Sequence, residues 1–227
     1  MRLRNRPLAK PATVAVFSIL AVFLSACVSG DSQRRLAKGT GCCSISEATA
    51  EQRALARSAA GYLGASRIHA KGRRFRFDCS GLTQAVYFSN GIDLLNNVDG
   101  RPGESGVRLI RRSLLTHGRL HSGPRVQPGD VVFLHNTWDA NRDRRVNDLW
   151  THVGIVERVE ANDTVVFISR VSRGIERYRM NLTFPGTHRA DDGTLLNDFM
   201  RRKRRSDPPR THYLTGQLFA AFGTVTH

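Results

Sequence analysis

The chain has 227 residues, of which 40% are hydrophobic and 24% charged, proportions that exclude a wholly disordered chain. Its four cysteines are too few for a disulfide-built scaffold, and its single long apolar run lies at the extreme N-terminus, which excludes a multi-pass membrane protein. Lys and Arg outnumber Asp and Glu by 35 to 19, a formal charge of +16.

Residues 1–12 are basic and lack acids, and residues 13–26 form an apolar stretch too short to span a membrane but suited to the core of an export signal. The stretch ends in Leu24-Ser25-Ala26-Cys27, which resembles the lipobox of bacterial lipoproteins. That resemblance implies cleavage before Cys27, acylation of its thiol and a lasting lipid anchor. Val28, where Asp would retain the chain in the inner membrane, implies the outer membrane facing the periplasm. Loss of Arg2, Arg4, Arg6 and Lys10 with the leader still leaves a formal charge of +12. The expected organisation is a signal peptide at 1–26, a lipidated tether at 27–45 without apolar periodicity, and one domain at 46–227.

Within that domain, Ser46 opens a helix expected to run to Leu63 and stop at Gly64. Residues 65–77 read as a basic loop. A second helix is expected from Cys79 to Asn90-Gly91, and a third over 106–117, where Val107, Ile110, Leu114 and Leu115 recur at helical spacing. Short β-rich runs follow at 131–134, 152–156 and 164–168, and 217–225 is placed to close the sheet. Helices first and strands afterwards give an α+β order, with no internal repeat.

Two residues carry the chemistry. Cys79 opens the second helix, where the macrodipole and unpaired amide hydrogens favour a thiolate nucleophile. His152 opens a later strand after a polar loop and is placed to serve as general base. A cysteine at a helix start is by itself most simply a small buried hydrophobe, and a histidine at a strand start a satisfied core residue. Their order and spacing, behind an export signal, point instead to a papain-like pair.

Asp78-Cys79-Ser80-Gly81-Leu82, Pro128-Gly129-Asp130-Val131-Val132-Phe133 and His152-Val153-Gly154-Ile155-Val156 resemble, in that order, the signature blocks of the NlpC-type cysteine peptidases. The resemblance implies a papain-like α+β fold with N-terminal helices packed on an antiparallel sheet. It implies hydrolysis of amide bonds in peptidoglycan stem peptides, next to D-glutamate, with Cys79 as nucleophile, His152 as base and the Cys79 amide in the oxyanion hole. Where such enzymes carry a third polar residue, commonly His, this chain has Ser169, a shorter hydrogen-bonding partner for the imidazole. Arg67 stands about where they have a tyrosine. These departures leave open a degenerate wall-binding or partner-binding lipoprotein, and, because fold does not fix reaction, a thiol amidase or acyltransferase on the same fold is a second alternative.

No organic cofactor and no metal ligand is assigned. Residues 139–148 (Asp139-Ala-Asn141-Arg-Asp143-Arg144-Arg145-Val146-Asn147-Asp148) follow the first ten places of an EF-hand-type loop, but Arg144 replaces its glycine and Trp150 its final glutamate. With arginines inside it, the segment reads as a solvated polar loop, in which an ion would fix the loop and do no chemistry. Cys42-Cys43 could form a vicinal disulfide, pair with another chain or stay reduced. The basic runs at 73–76, 108–112 and 201–205 read as solvated surface facing acidic wall peptides or lipid head groups; nucleic acid is not expected as a partner of an exported chain.

Overall fold

The computed structural model describes residues 48–123 and 125–226. The expected leader and tether, with Cys27, Cys42 and Cys43, lie outside them. Helix α1 (Ala50–Ala60) starts at Thr49, which accepts the Gln52 N–H while the Gln52 side chain accepts the Thr49 N–H. It ends earlier than expected, and tight turns carry the chain through Leu63 to Gly64 at φ +72°.

The segment expected as a loop at 65–77 contains a hairpin, β1 (Ile68–Ala70) with β2 (Arg73–Phe75). Lys71 and Gly72 make its two-residue turn, both at positive φ, the geometry that matches strand twist. Helix α2 (Cys79–Ser89) closes at Asn90 and Gly91 (φ +91°), and helix α3 (Gly106–His117) keeps its predicted bounds. The remaining strands are β3 (Gly118–His121), β4 (Val131–Leu134), β5 (His152–Val159), β6 (Val165–Val171), β7 (Gly174–Met180) and β8 (Phe219–Val225), the last preceded by the short helix α4 (Thr215–Leu218). β3 and β7 were not expected. β7 alternates charged and apolar residues at the sheet edge, so it carries no continuous apolar run.

The six strands form one antiparallel sheet in the order β3-β8-β4-β5-β6-β7. Helices precede an antiparallel sheet, the expected α+β architecture. Both sheet faces are covered. Val131, Phe133, Val153, Ile155 and Ile168 pack with Leu82, Val86 and Ile110 of the helices. Val132, Leu134, Val156, Phe167 and Met180 pack on the other side with Leu218, Phe222 and Val126. Alternate residues of β4 therefore serve opposite cores, which explains its unbroken apolar run.

The Pro128-Gly129-Asp130 block is structural. Gly129, at φ +89°, lies against Gln52 and Leu55, and its carbonyl accepts the buried Tyr87 hydroxyl at 2.6 Å. The Gly129 N–H donates to Val156 O and the Val156 N–H to Asp130 O, both at 2.8 Å, which docks the start of β4 onto β5. Two basic runs are also not simple surface. Arg111 stacks on Trp150 at 4.4 Å, and Arg201 is buried, paired with Asp207 at 2.9 Å and bonded to the Asn136 carbonyl.

Candidate active site

Helix α2 begins at Cys79 because Asp78 caps it. The Asp78 side chain accepts the Gly81 N–H and the Ser80 hydroxyl, each at 2.8 Å. A Cβ on Gly81 would stand 2.0 Å from the Arg76 carbonyl, so the chain entering the helix crosses its first turn at a distance only glycine permits. Cys79 is half-buried and is the free cysteine of the described residues.

Strand β5 delivers His152, 8% exposed. The Ser169 Oγ lies 2.8 Å from His152 Nε2 and 2.6 Å from the Val153 carbonyl. A carbonyl can only accept, so the one hydroxyl proton of Ser169 goes to Val153. The bond to the imidazole must then run from Nε2–H to the serine oxygen. This order of donors fixes the tautomer: His152 keeps its proton on Nε2 and leaves Nδ1 bare. Gly154 makes the contact possible. A Cβ there would fall 2.7 Å from Phe167 Cδ2 and 3.2 Å from Ser169 Cβ.

Burial governs both reactive groups. It pushes the Cys79 thiol up to about 11, and the negative charge of Asp78 adds to the rise; backbone N–H groups of Val153, Ser80 and Cys79 itself pull the other way. Burial also pushes His152 down to about 4, opposed by Asp78. The helix terminus expected to favour a thiolate is present, but desolvation outweighs it in the free protein. Burial therefore favours the neutral form of each, thiol on Cys79 and imidazole on His152. The Val153 N–H beside the sulfur places Cys79 next to the start of β5, and Asp78 acts electrostatically on both members of the pair.

Residues 63–181 match the sequence pattern of the NlpC/P60 family. The chain belongs to the NlpC/P60 family. Its fold is the papain-like α+β fold of that family, and the family places it among cell-wall hydrolases of the cysteine-peptidase type. Comparison with curated proteins and with solved structures returned no match. The family segment runs from the end of α1 through β7, yet β8, beyond it, pairs with β4 and β3 inside the NlpC/P60 sheet. The excursion that leads to β8 is held by buried Asn197, which accepts the N–H groups of Asn181 and Gly216 and donates to the Phe184 and Thr187 carbonyls.

The structure thus brings Ser169 onto His152, and Cys79 beside Val153. Arg67 lies apart from them, lining a cavity of about 360 Å³ with Arg74, Arg76 and Phe77. A second cavity of about 300 Å³ shares Phe77 and is lined by Arg170 and Arg173. Arg170 stacks on Phe77 at 4.6 Å, two residues before Cys79. Val153, Gly154 and Phe77 have roles that residue type alone does not announce: two act through the backbone, and the third only through its neighbours.

Proposed function

We propose that the chain is a lipid-anchored cysteine peptidase that hydrolyses amide bonds in peptidoglycan stem peptides, next to D-glutamate. The observation that carries this reading is the hydrogen-bond order through Ser169, which presents the free Nδ1 of a neutral imidazole as a base. Cys79 Sγ attacks the scissile carbonyl as its proton passes to Nδ1. The Ser169 oxygen and the Asp78 charge stabilise the imidazolium that forms. First-turn amides of α2, that of Cys79 included, face the developing oxyanion. His152 then protonates the leaving amine, and the thioester is released by water deprotonated at the same nitrogen. Arg67, Arg74, Arg76, Arg170 and Arg173 around Phe77 suit a substrate rich in carboxylates, as stem peptides are. Acylation at Cys27 would hold the domain at the outer membrane within reach of the wall.

The test is digestion of purified sacculi by the protein and by its Cys79→Ala variant, with released fragments identified by mass spectrometry. New peptide termini from the native protein alone support the reading and name the bond. An intact wall with both proteins overturns it. The anchor is tested separately: Cys27→Ser should move the protein from the membrane to the soluble envelope fraction.

A further inference from the structure

The loop between β4 and β5 holds an arrangement that the catalytic reading leaves unused. Asp148 is 5% exposed; its Oδ1 accepts the Asn141 N–H at 3.1 Å, while its Oδ2 is buried with no hydrogen-bond partner. Asp139 repeats the pattern: one carboxylate oxygen accepts the Arg144 N–H at 3.3 Å, and Oδ1 is buried and unpartnered. One loop thus holds two carboxylates, each with a buried oxygen that no protein group satisfies. Buried anionic oxygens of this kind are costly unless a cation or donor meets them.

The arginines of the loop do not fill that role. Arg142, Arg144 and Arg145 are exposed, and none of the ion pairs within 4 Å among the described residues uses Asp139, Asp143 or Asp148. Arg144, in the place where a calcium loop carries glycine, adopts φ +62°, so the backbone takes the turn despite the wrong residue. Asn141, Asp143 and Asn147 add further side-chain oxygens, already tied together by the Asn141 and Asn147 amides. No three His, Cys, Asp or Glu groups converge to hold a metal among the described residues. The donor set is mixed carboxylate and amide oxygen, which suits a hard cation and not zinc.

We propose that residues 139–148 bind a calcium ion, with the free oxygens of Asp139 and Asp148 as its anchoring ligands. The solvated loop expected from the sequence fits its rim but not these two oxygens. The base of the loop is tied to the strand that carries His152: the Asp148 N–H donates to Asn136 Oδ1 at 2.7 Å, and Thr137 bonds to Thr151. An ion there would fix the entry of β5. It would act by holding the loop and would take no part in the reaction.

Trp138 and Trp150, the chain's two tryptophans, flank the loop and make the test direct. The protein, stripped with a chelator, is titrated with terbium while tryptophan-sensitised emission is read, and the terbium is then displaced with calcium. Thermal unfolding is followed in parallel with calcium or chelator. Emission should saturate at one ion per chain, calcium should displace it in the range of about 10⁻⁴ to 10⁻³ M typical of extracellular modules, and calcium should raise the unfolding temperature. Asp139→Asn keeps an acceptor for the Arg144 N–H and should weaken binding at least about tenfold. Absence of emission and of any calcium-dependent unfolding shift overturns the proposal. So does binding that Asp139→Asn and Asp148→Asn leave unchanged, because the ion would then sit elsewhere. Neither readout depends on hydrolysis, so the outcome is independent of the peptidase reading.

Discussion

The seam between β5 and β6 and the loop between β4 and β5 both bury polar groups, but they close them differently. At the seam, His152 Nε2–H, the Ser169 hydroxyl and the Val153 carbonyl satisfy one another in neutral forms. In the loop, Asp139 and Asp148 each keep a buried oxygen without a partner. A closed polar chain is complete before any ligand arrives and can hold a catalytic group in one tautomer. An open one is arranged for something not part of the chain. The seam is therefore where a substitution should alter chemistry, and the loop where it should alter ion binding and stability.

The largest expected effect belongs to Cys79, the proposed nucleophile beside the seam. Cys79→Ala should lower hydrolysis by about a thousandfold or more while leaving the unfolding temperature nearly unchanged; a folded variant with substantial activity would detach the seam from catalysis. Ser169→Ala opens the closed chain and leaves Nε2–H and the Val153 carbonyl unpaired. Activity should fall by about tenfold to a hundredfold, and stability by about 1–3 kcal/mol, read by sacculus digestion and by urea unfolding.

Acid should separate the two regions next. His152 takes a proton near 6.5 when unfolded but only near 4 when folded. Its neutral burial therefore contributes fully above pH 6.5, and the contribution is lost progressively as pH falls toward 4, by up to about 3 kcal/mol. Asp130, raised by burial from 3.8 to about 6, works in the opposite direction, losing stability as pH rises through that window. His152→Gln should remove the first trend and leave the second, which pH-dependent unfolding of the two proteins would reveal. Hydrolysis should rise as pH passes 4 and the base is freed.

Gly154→Ala tests how tightly the seam is closed. The added methyl meets Phe167 and the Ile168 carbonyl at 2.7 and 3.0 Å, so a loss of about 1–3 kcal/mol is expected in denaturant unfolding, with activity falling as Ser169 is pushed from His152. The smallest effect lies in the loop. Arg144→Gly relieves a positive φ and should gain about 0.5–1 kcal/mol in calcium-free buffer, with no change in the pH dependence of hydrolysis.

The sequence made the seam legible and the loop only half so. Cys79 and His152 stand at the starts of elements whose patterns are strong, and α3 keeps its bounds because Val107, Ile110 and Leu114 mark a single face. The β1–β2 hairpin carries little local signal, because its strands are three residues long, arginine-rich and joined by Lys71-Gly72, a turn set by backbone angles more than by side chains. β7 was hidden by its alternating charges. In the loop, the residues at 139–148 announced a cation site, and the arginines among them argued against it. Only the buried, unpartnered oxygens of Asp139 and Asp148 weigh one against the other, and burial of a single carboxylate oxygen is not written in local sequence.

The neutral pair at the seam is tested most directly by ¹⁵N chemical shifts of the His152 ring in the resting protein across pH. At pH 7 the expected spectrum is that of a neutral imidazole protonated at Nε2 with Nδ1 bare, titrating only near pH 4, with Cys79 alkylation rising toward alkaline pH. An imidazolium at pH 7, or a proton on Nδ1, would contradict it and restore the thiolate–imidazolium pair.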